Sequence, residues 1–280
     1  MPGPNKYICL LKKLFFKDLN VIITEHNNVS LHYRNKHKIS QKISYAAQKY
    51  LYSYSNHIVC VSRGVQYSLL KYLKAVDKSK LSVIPNPIDI KYIDRKAKET
   101  FKSPVHSSRG PSLVAIGRLN EQKAYPDMVK VIHILKNRIN PTLLILGEGE
   151  QRDEIQATIN RLGLDENIKL AGFQDNPYKY LKSADYYLST SHWEGFHITI
   201  LEAMACGAVP VVTDCDYGPS ELIQDGENGF LLPVGEPEKM ADRILDLMRT
   251  DVNHVLQNAR STAENYDIKK IVHLYEKLLV

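Results

Sequence analysis

Short apolar runs alternate along the chain with longer stretches of helical periodicity, the pattern of parallel strands joined by helical crossovers and covered on both faces. In the first third, VIITEH (21–26), HIVCVS (57–62) and LSVIPNP (81–87) read as strands, the last stopped by Pro-Asn-Pro. Residues 37–55, rich in tyrosine, and 63–74 read as helices. Residues 91–111 lose the periodicity and turn polar, with Ser, Pro and Gly, and read as a linker. A second series then begins, with strands at 113–117, 142–146, 168–173, 185–190, 209–213 and 229–233. Its helices cover about 126–138, a stretch ending near 162, then 198–206 and 236–249. The last segment, IKKIVHLYEKLLV (268–280), has amphipathic helical spacing. The pattern predicts an α/β protein of two Rossmann-like domains with parallel sheets. The first domain is incomplete, because three strands are too few for a well-covered doubly wound sheet.

The composition fits this reading. A chain of 280 residues suits two domains. Apolar residues make up 44% and charged residues 24%, as in ordinary globular proteins. No apolar run approaches the ~18 residues of a bilayer span. The basic, partly apolar start lacks the long apolar stretch and small-residue cleavage site of a signal peptide. Cys9, Cys60, Cys206 and Cys215 form no CxxC pair and no zinc-spaced cluster, which points to a reducing cytoplasm and no structural metal. The net charge of +6 is spread widely, favouring phosphorylated substrates or an anionic lipid surface. No compact basic helix or aromatic-basic motif argues for nucleic acid.

Three segments carry candidate chemistry. In Glu194-Gly195-Phe196-His197-Ile198, continuing to Glu202 and Gly207, two carboxylates stand eight residues apart across a strand–loop–helix junction. Open α/β sheets bind ligands at the carboxyl ends of their strands. A helix start offers free N–H groups to an anion. Diphosphate is the natural guest, with Glu202 accepting hydrogen bonds from a ribose; a solvated carboxylate pair beside an ordinary helix fits the residues equally well. The second segment, Gly117 to Lys123, leaves another strand end. Arg118 offers a planar fork and Lys123 a point charge, enough to neutralise a pyrophosphate, although a solvated basic loop has the same composition. The third, Gly218–Ile223 with the turn Asp225–Gly229, reads by default as structural.

In this order, the three segments resemble the retaining glycosyltransferases of family 4, which have the GT-B fold. The similarity covers about 21–280 and is strongest over 112–233, where the Glu-x7-Glu motif with EGF and LEAMACG is the most specific part. The resemblance implies that Arg118 and Lys123 contact the donor diphosphate, Glu194 faces the transferred sugar and Glu202 holds the ribose. It implies that the helix start after Phe196, with Gly195, His197 and Ile198, meets the phosphates, and that Phe173 lies at the nucleotide base. A core position is the alternative for Phe173. TEHN (24–27) looks like the family's strand ending in His, making His26 a candidate beside donor sugar and acceptor; a His satisfied at a strand end is the alternative. VCVSRGV (59–65) and VIPNPID (83–89) are similar to the family's last acceptor-domain strands. His197 stands where the family often has a second Gly, and Ala124 where Gly is usual. The family's first strand and Gly-rich loop would lie some 70 to 100 residues before TEHN, where this chain has about 20 residues.

The domains expected are therefore 1–108 on the acceptor side, 109–265 for the nucleotide sugar, and a helix at 266–280 returning to the first domain. The expected catalytic residues are Glu194, His26, Arg118 and Lys123. The activity is transfer, with retention, of a hexose or N-acetylhexosamine from a nucleotide diphosphate sugar, UDP favoured, to a glycan or lipid-linked acceptor in envelope polysaccharide biosynthesis. No cofactor or metal is expected, since the basic loop stands in for a cation. The alternative is a non-catalytic nucleotide-sugar-binding protein, or the donor subunit of a split transferase whose complementary chain supplies the missing strands. The stretch Leu10–Lys17 suggests a peripheral position on the inner face of the plasma membrane; a helix packed on the first sheet is the other reading.

Overall fold

The structure, a computed structural model, describes residues 3–26, 28, 39–73, 76–101 and 110–279. Contacts divide the chain into two compact units. One comprises Met1–Asn86, Glu194–Phe196 and Lys269–Val280; the other comprises Pro87–Trp193 and His197–Ile268. Among the described residues no helix is long and apolar enough to cross a membrane, and all four cysteines are free and buried.

The first unit holds a parallel sheet of β1 (Ile22–Glu25), β2 (His57–Cys60) and β3 (Leu81–Val83), in that order. Side chains alternate between faces, as the strand period demands. Ile23, Ile58 and Cys60 join one core with residues of α1 (Gly3–Leu14), α2 (Ile39–Leu51) and α3 (Arg63–Tyr72), including Cys9, Leu51, Val65 and Leu69. Val59 on the opposite face packs with Ile84 and with Ile271 of the terminal helix α12 (Ile268–Leu279). Ser62 starts α3 as an N-cap, its Oγ accepting from Val65 N at 3.1 Å. At the end of β1 the buried Glu25 accepts from Tyr52 Oη at 2.7 Å and from Gln48 Nε2 at 3.4 Å.

The stretch Leu10–Lys17 overlaps α1. This helix lies on the first unit with Cys9 fully buried, while Tyr7, Leu10, Leu11 and Leu14 point outward. Asn5 Nδ2 donates to Thr24 O at 2.8 Å, Lys6 reaches Ser44 Oγ at 2.7 Å, and Lys12 and Lys13 bond Asn56 and Tyr50.

The second unit is a six-stranded parallel sheet of β4 (Ser112–Ile116), β5 (Thr142–Leu146), β6 (Ile168–Gly172), β7 (Tyr186–Ser189), β8 (Val209–Thr213) and β9 (Phe230–Leu232). Its spatial order is β6-β5-β4-β7-β8-β9, the doubly wound arrangement with a reversal between β4 and β7. On one face α5 (Tyr125–Lys136), α6 (Arg152–Arg161) and α10 (Pro237–Leu247) bury Met128, Ile132, Ile155 and Ile244 against Leu113, Ile145, Leu188 and Val211. On the other lies α8 (Ile198–Cys206), packed with α7 (Tyr178–Lys182), α11 (Asn253–Asn265) and α4 (Ile90–Ala97). A short α9 (Pro219–Leu222) precedes β9.

The linker expected at 91–111 is in part α4. Asp89 caps it, its Oδ1 accepting from Tyr92 N at 2.9 Å, and Ile90 and Ile93 are buried one turn apart. Two apolar positions among charges gave too faint a period to be read. Arg260 of α11 then clamps the helix, forking to both oxygens of Asp94 at 2.8 and 2.9 Å. The units consequently part at Asn86/Pro87, earlier than the expected division at 108/109; residues 102–109 lie outside the described residues, as does Asn27 of TEHN. The polar helix α11 also escaped the sequence pattern. Its buried stripe is Val255, Ala259 and Ala263, and alanines carry little apolar signal.

Candidate functional site

In the second unit the reversal between β4 and β7 brings together the loops that leave their carboxyl ends. The loop after β4 runs through Arg118 to a short 3-10 turn, Glu121–Lys123, capped by Asn120 Oδ1 accepting from Lys123 N at 3.3 Å. Two sets of contacts hold this loop. From the β5 side, Leu119 N donates to Glu148 O at 2.9 Å and Gln151 N to Leu119 O at 3.0 Å. The approach is so close that a Cβ on Gly149 would lie 2.3 Å from Leu119 O, and one on Gly147 2.0 Å from Gly117 O. Only glycine fits at both positions. From the β7 side, Thr190 Oγ1 donates to Lys123 O at 3.1 Å and Ala124 O at 3.0 Å. Gln122 Nε2 donates to Trp193 O at 2.9 Å, and His192 N to Gln122 O at 2.9 Å.

Arg118 is exposed and forms no ion pair with any described residue. Lys123 is half-buried, and its aliphatic stem runs across Gly117, whose added Cβ would meet Cε at 3.0 Å. A cationic fork and an ammonium thus stand on one rigid loop at the switch point. Ala124 closes the loop in the left-handed region at φ 48°, ψ 44°, a conformation that costs a non-glycine residue about 1–2 kcal/mol.

Beyond β7, His197 and Ile198 open α8. His197 is buried, its Nε2 within 3.0 Å of Tyr187 Oη, which also lies 2.8 Å from Thr199 Oγ1. That buried phenol accommodates the side chain where the family often has glycine. The helix is apolar nearly all round, with Ile200, Leu201, Ala203, Met204, Ala205 and Cys206 buried. Glu202 is its one charged residue. Burial lifts the Glu202 carboxyl to about 7, opposed by a hydrogen bond donated from Tyr178 Oη to Oε1 at 3.1 Å. Phe173, just past β6 at the same end of the sheet, is 73% exposed and so not a core residue.

Arg118, Lys123, His197, Ile198 and Phe173 therefore follow carboxyl ends of strands of the second sheet, and Glu202 lies within α8, the helix that His197 and Ile198 open. Glu194, Gly195 and Phe196 group with the first unit. There Ser62 Oγ, just past the carboxyl end of β2, donates to Gly195 O at 2.7 Å, and Phe196 packs against the core around Cys60 and Val65. His26 follows β1 at that same end of the first sheet; it is exposed, with its pKa held below the usual imidazole value by desolvation. The third segment is structural: Asn228 pins the turn, its Oδ1 accepting from Gln224 N at 2.8 Å and its Nδ2 donating to Leu222 O at 3.0 Å.

Sequence reading missed Tyr178, Tyr187, Thr190 and Gln122. Two adjacent tyrosines inside the apolar run DYYLST carried a usable signal, since a buried phenol needs a partner. Gln122 and Thr190 carried none.

A doubly wound sheet with a basic loop and a helix start at its switch point defines a nucleotide-binding class of α/β protein. The family model for glycosyl transferases group 1 matches residues 96–267, and that for glycosyltransferase family 4 matches residues 3–92. The chain belongs to this glycosyltransferase family, and its fold is of the GT-B type. An uncharacterized glycosyltransferase of Methanocaldococcus jannaschii is 29% identical over 97% of this chain and 75% of its own length. The Campylobacter jejuni N-acetylgalactosamine-N,N'-diacetylbacillosaminyl-diphospho-undecaprenol 4-alpha-N-acetylgalactosaminyltransferase is 29% identical over 96% of this chain and 71% of its own. Among solved structures, S. aureus TarM in a complex that includes UDP superposes with a TM-score of 0.74 at 25% identity, covering 94% of this chain and 51% of that one. Anabaena HepE with UDP gives 0.81 at 20% identity, covering 100% and 76%, a likeness of fold.

Proposed function

We propose that the chain transfers a hexosyl or N-acetylhexosaminyl group from a UDP-sugar to a glycan or lipid-linked acceptor, with retention and without a divalent metal. The observation that carries this reading is the stapled loop bearing Arg118 and Lys123 at the β4/β7 switch point, together with the segment after β7 that leads into α8 and its Glu202. The two cations and the helix start hold the diphosphate, Glu202 accepts from ribose hydroxyls, and Phe173 offers its exposed ring to the base. Glu194 and His26 are assigned to the transferred sugar and the acceptor. The bond from anomeric carbon to phosphate oxygen breaks with its electron pair leaving on UDP. The acceptor oxygen bonds the same face of the carbon, and its proton passes to the departing phosphate oxygen. Arg118 and Lys123 offset the charge that develops there, the task a metal performs elsewhere. The UDP in the TarM complex and the lipid diphosphate in the name of the C. jejuni relative support the choice of donor and acceptor.

A thermal-shift screen of nucleoside diphosphates tests the donor site. UDP at a hundred times its Kd stabilises by about 2.7 kcal/mol; a flat response to every nucleotide would sink the reading. Turnover unchanged by EDTA is expected, and dependence on added metal would overturn the metal-free mechanism. The three-stranded first sheet, where β1 pairs with β2 alone among the described strands, favours a second reading, a donor-binding subunit completed by another chain. UDP binding with no donor consumed in the presence of any acceptor would select it.

The reading extends to an anionic membrane surface, approached by the outward stripe Tyr7, Leu10, Leu11 and Leu14 with the exposed Phe15 and Phe16 beside Lys17. Vesicles containing phosphatidylglycerol should pellet the chain and lose it on Phe15→Ser with Phe16→Ser; equal pelleting of both forms would remove the membrane from the scheme.

A further inference from the structure

We propose that Tyr178 is a positioning residue for the nucleotide: its hydroxyl orients the Glu202 carboxylate so that the free oxygen faces the ribose, and α4 holds Tyr178 in place. The inference rests on the reading of Glu202 as the ribose ligand. Its basis is a chain of contacts inside the second unit. Tyr178 Oη donates to Glu202 Oε1 at 3.1 Å, leaving Oε2 for a second donor. The Tyr178 ring stands edge-on to Tyr92 of α4, with centroids 6.0 Å apart and planes at 88°. Its backbone N donates to Asn176 Oδ1 at 3.2 Å, and Asn176 Nδ2 in turn donates to Lys96 O at 2.9 Å and Glu99 Oε2 at 2.8 Å. The Tyr92 ring is covered on its face by Arg95, 5.3 Å from the centroid. Three residues of α4 and its C-terminal turn therefore set where one phenol sits, and that phenol sets one carboxylate.

A carboxylate on an apolar helix needs such a partner. Unsupported, it would rotate among rotamers and carry the full cost of burying its charge. A ribose presents two adjacent hydroxyls that donate in a fixed direction, so an acceptor locked at one oxygen is pre-organised for the other. The groups in electrostatic reach of Glu202 are Tyr178 on α7 and Cys206 on α8, both raised by burial and by the carboxylate. Lys182 of α7, Asp94 of α4 and Arg260 of α11 act on Cys206, one turn further along, and the last two neutralise each other. Among the described residues no cation acts on Glu202, and the phenol is the group that favours its ionised form.

The test uses calorimetry of the whole chain with UDP, 2′-deoxy-UDP and 3′-deoxy-UDP at pH 6 to 8. In the wild type UDP binds at least fivefold more tightly than the deoxy ligands at pH 8, and this preference shrinks toward pH 6 as Glu202 takes up its proton. The terminal phosphate titrates alike in all three ligands, so the difference isolates the carboxylate. In Tyr178→Phe the preference at pH 8 falls below twofold, while the affinities for the deoxy ligands change less than twofold, and what preference is left emerges at higher pH. Equal weakening of all three ligands would make Tyr178 a packing residue, and an intact preference in Tyr178→Phe would overturn the proposal by itself. A wild type that binds UDP without any preference over its deoxy forms would instead remove Glu202 from the ribose.

Discussion

Each unit sets a glutamate against a tyrosine hydroxyl, Glu25 with Tyr52 and Glu202 with Tyr178, and the two pairs stand in different surroundings. In the first unit the buried side chain of Glu25, the last residue of β1, is held by Tyr52 at 2.7 Å and Gln48 at 3.4 Å. Among the described strands its sheet runs β1-β2-β3 in sequence order without a reversal, with α1, α2 and α3 on one face and Ile271 of α12 on the other. In the second unit Glu202 sits on α8, which follows β7 at the reversal of strand order, where the crossovers diverge and leave room for a ligand. On the proposed reading, similar chemistry serves as a structural pair in one place and as a ligand acceptor in the other. The residue types are the same, and what differs is the topology around them.

The largest effect that would sharpen this contrast lies in the second unit. Lys123→Ala should lower sugar transfer at least a hundredfold, about 2.7 kcal/mol of transition-state stabilisation, with little change in melting temperature; near-wild-type turnover would break the assignment. Next is the pH response of the ligand-free chain. Glu202 titrates at about 7 when folded against an ordinary 4.5, so the folded state holds the proton more tightly. The contribution is complete below pH 4.5 and is lost as pH rises through 7, at most about 3 kcal/mol. Glu202→Gln should therefore raise the denaturant midpoint at pH 8 while weakening UDP binding, and a lower midpoint at that pH would contradict the buried charge.

The Glu25 pair should behave in the opposite sense. Tyr52→Phe takes a donor from a buried carboxylate and should destabilise the chain by about 1–3 kcal/mol in denaturant titration, with UDP affinity unchanged. Loss of UDP binding at constant stability would show that the first unit's pair is not merely structural. The smallest effect is Ala124→Gly, which relieves the left-handed φ of 48° and should stabilise by about 1 kcal/mol. A lower melting temperature would mean that the alanine methyl contributes packing worth more than the strain.

Period and punctuation in the chain were enough for the strands and most helices, because an apolar run such as VPVVT, bounded by turn residues, suits a strand buried on both faces of a parallel sheet. That Arg118 and Lys123 lie on the loop leaving β4, and His197 and Glu202 on the segment that follows β7, was also legible, since each of those segments comes after an apolar run. The faint elements were those whose buried face is narrow or small: α4, with two isoleucines among charges, and α11, with alanines. By itself, then, the sequence determined an alternating α/β protein with basic and acidic loops after particular strands. Tertiary structure alone decided that β4 neighbours β7, that Tyr178 meets a glutamate 24 positions away, and that Glu202 is buried enough to titrate near neutrality. Strand order and burial are properties of non-local packing, and residues distant in sequence carry no mark of which partner the folded chain will give them.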